Sequence, residues 1–340
     1  MPGIDDVARH AGVSTATVSR ALSGNGPVSE TTRARVIQSA SELGYVVSSN
    51  ASGLASGRTR NIGAVVPRLD RWFFTSVIEG AQRVLLRRGY DLTLYNLNGD
   101  GEERRRVFEH HLLRNRVDAV FAICLKLSEA EVGSLLGIGK PLVGVGGPLP
   151  GVSTLRLDDV AVARLATEHL ISLGHRRIAH IGGSHEFDLE FHIPTNRRLG
   201  YEQAVRDAGL PVDEALHRAS DFTIPGGYDA AKQLLDAPDR PTAVFAASDE
   251  MAIGAILAAR DLGLRVPEDL SVIGIDDHPL AEFFGLSTVA QHPGRQGEQA
   301  ATLLLAALEP RRNGVVAPPE PVGHTARADL IVRFSTAPSP

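Results

Sequence analysis

Two sets of side chains in this 340-residue chain could do chemistry with a partner. The first is Ser14, Thr15, Ala16, Thr17, Ser19 and Arg20. Small hydroxyls and one guanidinium, outward on a short helix, suit phosphate oxygens and base edges of a duplex. The planar fork of Arg20 matches guanine O6 and N7 in a major groove, while Ser14, Thr17 and Ser19 suit phosphates. The second set stands at the ends of apolar runs. Asp249 follows PTAVFAAS, Asp276 and Asp277 follow LSVIGI, and Trp72, Phe73 and Phe74 follow IGAVVPRLDR. A carboxylate so placed can accept two hydroxyl hydrogen bonds from one ligand. An aromatic face can stack on a sugar ring or a base. Plainer readings stand beside these. Asp249 opens a helix, so capping is its stronger explanation, and the phenylalanines could equally fill a core.

The elements that position the first set are legible in the spacing. Ile4, Val7, Ala8 and Ala11 share one helical stripe, and Gly12 permits a sharp turn. Ser14 then caps a second helix whose inner face is Val18 and Leu22. Ser29 caps a third, with Val36, Ile37, Ala40 and Leu43 apolar and Gly44 as its stop. Three helices in the first 44 residues predict a small helix-turn-helix domain with the middle helix as reader. A linker follows, rich in Ser, Gly and Asn.

From Asn61 the pattern becomes alternating apolar strands and amphipathic helices, in two successive sets. NIGAVV, YDLTLYN, VDAVFAI and PLVGVGG belong to the first; RRIAHIGG, PTAVFAA and LSVIGIDD to the second. Such alternation predicts βαβ units, parallel sheets and two α/β lobes with a cleft at the strand ends. Arginines outnumber carboxylates six to four in residues 1–61, a net +2 that leaves −7 on the rest. A positive head on a negative body steers towards nucleic acid.

With 43% hydrophobic residues there is no apolar run of membrane length, and no basic segment leads into an apolar one at the N-terminus. The expectation is a cytoplasmic protein. The single cysteine, Cys124, excludes an internal disulfide framework and reads as a small hydrophobe in a strand. Enzymatic alternatives lack their parts. VGVGGPLPG has no following Lys-Ser/Thr, and Ser184 in GGSHE lacks a nucleophile elbow. His110, His111, His180, His185 and His192 lack metal-ligand spacing. No catalytic, metal or cofactor site is expected.

The runs DVARHAGVSTATVSRALSG, VSETTRARVIQSASELGY and GLASGRTRNIG resemble the LacI family of bacterial transcription regulators (LacI/GalR-type repressors). The resemblance continues in order through HLISLGHRRIAHIGG, PTAVFAASDEMAIGAI, GLRVPEDLSVIGIDD and LSTVAQ, to about residue 335. It implies an N-terminal all-α helix-turn-helix domain (1–47), a hinge (48–60) and a two-lobed α/β periplasmic-binding-protein-like domain with parallel sheets (61–340). Lobe 1 would hold about 61–157 plus 289–320, and lobe 2 about 158–288 plus 321–340, with crossings near 157, 288 and 320.

The resemblance also implies roles. Thr15 and Ala16 fall at specificity positions, and Leu54 matches a leucine wedged into the minor groove from a short hinge helix over 50–56. Gly53, and Val47-Ser48 in place of Pro-Asn, depart from the family's pattern there. Asp276 matches the ligand-binding aspartate. Arg197, beside Asn196, matches an arginine that reaches the ligand, with Thr195 as the alternative register. Phe222 matches an aromatic cover, and Gln291 lies on a crossover strand. The implied function is a DNA-binding regulator, repressor in type, controlled by a sugar or polyol between the lobes. A purine or nucleoside effector is the alternative; a solute-binding protein would lack the DNA head. The implied partners are a pseudo-palindromic double-stranded operator and a second copy of the chain, pairing through residues 70–90 and nearby first-lobe helices, with no membrane.

Overall fold

Helical spacing and capping build the head as the sequence predicts. The computed structural model describes residues 2–23, 26–45, 59–97, 101–112, 116–125, 127–137, 139–184, 191–308 and 323–340. The hinge over 50–56, with Leu54, lies outside the described residues. In the head, α1 (Ile4–Ala11), α2 (Thr15–Ser23) and α3 (Glu30–Glu42) bury Val7, Ala8, Ala11, Val18, Ala21, Val36 and Ala40 against one another. Gly12 ends α1 with φ of 64°, a left-handed turn that costs a residue without Cβ little. Ser14 Oγ accepts from Thr17 N at 3.2 Å and Ser29 Oγ from Thr32 N at 3.3 Å, so both predicted caps are present.

Two inner faces differ from expectation. Helix α2 buries Val18 with Ala21, leaving Leu22 half-buried, and α3 turns Ile37 outward at 51% exposure while burying Ser39. Residues 36, 39 and 40 share a face at 3.6 residues per turn; residue 37 lies about 100° away from 36. Apolar type misplaced Ile37, and helical geometry decides it.

The body is a separate compact unit. Its first lobe contains β1 (Asn61–Val66), α4 (Trp72–Arg87), β2 (Asp91–Asn96), α5 (Gly101–Arg106), β3 (Ala119–Ile123), α6 (Glu129–Gly137), β4 (Leu142–Val145) and β5 (Ser153–Arg156). The second contains α7 (Asp159–Ser172), β6 (Ile178–Gly183), α8 (Ile193–Asp207), β7 (His217–Ser220), α9 (Ile224–Leu235) and β8 (Ala243–Ala246). It continues through α10 (Asp249–Asp261), β9 (Ser271–Asp276), α11 (Pro279–Phe283) and β10 (Ser287–Ala290). Then α12 (Pro293–Leu308) and β11 (Gly323–Thr325) join the first lobe and β12 (Asp329–Ile331) the second. The sheets run β11-β5-β4-β3-β1-β2 and β12-β10-β9-β8-β6-β7. Among the described ladders only β10–β12 is antiparallel.

The first crossing falls between Arg156 and Asp159. The second and third fall later than the expected 288 and 320. Strand β10 stays zipped to β9, with Ala290 opposite Asp276, so the chain leaves the second lobe only after Ala290. Strand β11 pairs with β5, with Gly323 opposite Thr154, so the return lies between Thr325 and Asp329.

Helices α4 and α12 cross at glycines. A Cβ on Gly80 would sit 2.0 Å from Gly294 O, and one on Gly297 2.0 Å from Val77 O. Backbone cannot yield as a side-chain tip can. Gly80→Ala should therefore lower stability by roughly 1–3 kcal/mol, although helix propensity alone would favour Ala by about 1 kcal/mol. Thermal denaturation decides the sign, and a raised Tm would show that the helices part freely.

Candidate functional site

On α2 the exposed side chains are Ala16, Ser19 and Arg20, with Thr15 and Thr17 half-buried. Ser14 is engaged as the cap, its Oγ also 2.9 Å from Thr17 Oγ1. Arg20 lies along the helix, with Nε donating to Ala16 O at 3.1 Å. All six residues belong to one short helix and its cap.

The strand ends of the two lobes enclose about 890 Å³ of empty space, part of it open to solvent. That is a ligand-sized cleft. Phe73, Phe74, Arg197, Phe222, Asp276 and Gln291 all line it, as does Trp72. Phe74 also belongs to the first lobe's core. Backbone strain gathers here. Cys124, Phe222 and Asp276 have φ of 46°, 61° and 137°, values that non-glycine residues keep only where the surroundings impose them.

Two predicted residues do not line the cleft. Asn196 directs its Nδ2 towards Phe191 O, 3.5 Å away, because on α8 it lies about 100° from the inward Arg197. Thr195, the alternative register, is exposed and does not line the cleft. Asp249 neither lines the cleft nor caps α10. Ser248 caps α10, accepting from Met251 N at 3.3 Å. The wholly buried Asp249 carboxylate instead accepts from His278 N at 2.8 Å and Thr288 Oγ1 at 2.6 Å.

Arg197 is held from behind, with Nε donating to Asp159 Oδ1 at 2.8 Å and Nη1 to Ala247 O. Both ends of this ion pair are buried, and burial pushes the Asp159 carboxyl up despite its partner. Asp159 escaped sequence reading because Asp158-Asp159 looks like one helix start. Asp158 does cap α7, accepting from Ala161 N at 3.0 Å. Across the cleft, Gln291 Nε2 donates to Asp276 Oδ1, and Gln296 Nε2 donates to Gln291 O at 2.7 Å. Since Gln296 stands on α12, this amide chain spans the second crossing. Burial pushes the Asp276 carboxyl up.

The lobes also meet at the cleft's edges. Arg71 Nη2 donates to Asp221 O at 3.0 Å, and its Nη1 lies 3.9 Å from the Glu250 carboxylate. Trp72 meets the His278 ring edge-on at 5.0 Å. Phe191 packs with Ala122, Leu149 and Val152 of the first lobe, over Gly147, where a Cβ would lie 2.0 Å from its ring. Arg71 was within reach of sequence reading, as the residue before the aromatic cluster. Phe191, in an idiosyncratic loop, was not.

The cations along the cleft are thus answered, Arg197 by Asp159, Arg71 by Glu250 and Arg68 by Asp70 at 2.9 Å. Asp276 is met by an amide. A cavity whose cations are each paired, with one carboxyl met only by an amide and aromatic walls around it, favours a neutral ligand carrying hydroxyl donors over an anion.

A three-helix head with an exposed polar face on its middle helix, and a body closing two lobes on such a cleft, define a ligand-controlled DNA-binding regulator. Residues 3–48 match the family described as bacterial regulatory proteins, lacI family, and residues 167–336 match the periplasmic binding protein-like domain. The chain is 36% identical to the ribose operon repressor of Escherichia coli (strain K12), over 90% of this chain and 92% of that protein. It is 35% identical to the HTH-type transcriptional repressor PurR of Vibrio atlanticus (strain LGP32), over 90% and 91%. The solved transcriptional regulator CelR–cellobiose complex is similar throughout, with 34% identity, 98% and 100% coverage and a TM-score of 0.71. The chain belongs to the lacI family of bacterial regulatory proteins. These relatives are transcription regulators and not enzymes. Among the described residues no helix is long and apolar enough to cross a membrane.

Proposed function

We propose that this regulator is a cytoplasmic repressor whose hold on its operator is set by a neutral sugar or polyol between the lobes. The observation that carries the reading is a cleft whose lining cations are already paired and in which Asp276 faces the cavity bonded to Gln291 rather than to a cation. Asp276 and Gln291 would take the ligand's hydroxyls, Arg197 would donate to its oxygens, and Phe73, Phe74, Trp72 and Phe222 would pack on its apolar faces. A relative named for the ribose operon and a similar structure bound to cellobiose support the same class.

On DNA, Arg20 reads guanine, Thr15 and Ala16 contact thymine methyls, and Ser14, Thr17 and Ser19 hold phosphates. Leu54 wedges into the minor groove from a hinge that orders on binding. One head reads only a few base pairs, so two copies pair on a pseudo-palindromic operator. Ligand binding biases lobe closure and so shifts the population able to hold DNA.

A thermal-shift screen with ribose, cellobiose, adenosine and phosphorylated sugars tests the ligand class. A ligand at a hundred times its Kd should stabilise the protein by about 2.7 kcal/mol, and it should then change operator affinity. A shift with sugar phosphates or adenosine, and none with neutral sugars, would overturn the sugar assignment.

A further inference from the structure

We propose that Asp249, though it does not reach the cleft, is the positioning residue for Asp276 and makes the cleft's sugar affinity depend on pH. This rests on the reading of Asp276 as acceptor for sugar hydroxyls.

The geometry centres on the turn after β9. Asp276 and Asp277 both have left-handed backbone, with φ of 137° and 58°, which must be held from outside. Asp249 holds it from two directions, its carboxylate taking His278 N at 2.8 Å and Thr288 Oγ1 at 2.6 Å. Thr288 Oγ1 in turn accepts from Asp277 N at 3.3 Å. Strand β9 passes flush over the group, since a Cβ on Gly274 would lie 2.1 Å from Asp249 Oδ1. An alanine in place of Asp249 would leave this turn without its anchor.

The neighbouring charges are already committed. Arg197 on α8 is bonded by Asp159 of α7, Glu250 on α10 lies beside Arg71, and Asp277 takes Arg333 Nη2 at 2.6 Å. His278 uses Nδ1 to cap α11 and is held below its ordinary pKa by burial. Two buried carboxyls are left close together. Burial pushes both up, and the charge of Asp276 raises Asp249 further. With both carboxyls pushed up by burial, their titration belongs to the pair.

The sign follows. A protonated Asp276 loses acceptor capacity, so sugar affinity falls as pH drops through the pair's titration. Asp249→Asn removes the neighbouring charge, Asp276 ionises at lower pH, and the midpoint of the affinity profile moves down. Thr288→Val strips one donor from Asp249, favours its neutral form beside Asp276 and moves the midpoint the same way. Stability carries a second signature. A carboxyl raised in the folded state loses stability as pH rises above the ordinary carboxylate range, and Asp249→Asn escapes that loss.

The test uses full-length wild type, Asp249→Asn and Thr288→Val. Thermal melts run from pH 5 to pH 8 without ligand, and ribose and cellobiose titrations follow the fluorescence of Trp72, the chain's one tryptophan. The expected result is a Tm difference, Asp249→Asn minus wild type, that grows by on the order of 3 °C from pH 5 to pH 8. Sugar affinity should fall at least threefold from pH 8 to pH 6 in wild type, with the midpoint lower in both variants. A Tm difference constant with pH, or an unmoved midpoint, would overturn the proposal by showing a merely structural Asp249. If neither sugar binds wild type while the Tm difference still grows, the coupling stands and the sugar reading fails.

Discussion

Replacing Arg20 with alanine should bring operator binding down to the level of random duplex. On the exposed face of α2, Ala16 and Ser19 offer a methyl and a single hydroxyl, whereas Arg20 has a rigid fork of parallel donors. That fork distinguishes guanine from the other bases, and one such contact is worth about 1–3 kcal/mol. Two heads on a symmetric site double the effect to roughly 2–6 kcal/mol, enough to erase most of a specific preference. Weak binding to any duplex should persist, because the head's other arginines still neutralise phosphates. Folding should be almost untouched, since the bond from Arg20 to Ala16 O is exposed on a helix surface. Titration of labelled operator and scrambled duplex at one salt concentration checks this. Undiminished discrimination by Arg20→Ala would remove Arg20 from the readout.

What could be read in advance divides by range of interaction. The head was legible because helix spacing, Gly12 and the caps Ser14 and Ser29 act within four residues of one another. The lobes were legible as apolar runs, and strand ends pointed to Phe73, Phe74 and Asp276. Arg197, Phe222 and Gln291 came from family resemblance and also stand in the cleft. Failures began where partners are distant in the chain. That β10 pairs with β9 and β11 with β5 cannot be seen in their own residues, so two crossings were placed early. Asp249 follows a strand as a cleft residue should, yet it is tied to His278 and Thr288, residues 29 and 39 positions away. Asp158-Asp159 has the pattern of a helix start, and only the fold brings Arg197, 38 residues further on, against Asp159.

That last pair separates what holds the cleft together from what it binds. Arg197→Met should destabilise the protein by about 3–5 kcal/mol, because it leaves the Asp159 carboxylate buried without its cation. Asp159 already sits above its ordinary range, and loss of the guanidinium lets it rise further. The variant's deficit should therefore be smallest near pH 5, where the carboxyl can stay neutral, and grow towards pH 8. Removing both charges in Asp159→Leu/Arg197→Met should return most of the stability, since a buried pair replaced by apolar groups of similar volume is often neutral. Ligand binding should not return with it, because the donors facing the cleft are gone. Melts across pH, with sugar titration of both variants, read the two quantities independently. A double variant as unstable as the single one would mean that Arg197 supports the fold through Ala247 O rather than through Asp159. A double variant that still binds sugar normally would take Arg197 out of the ligand's contacts.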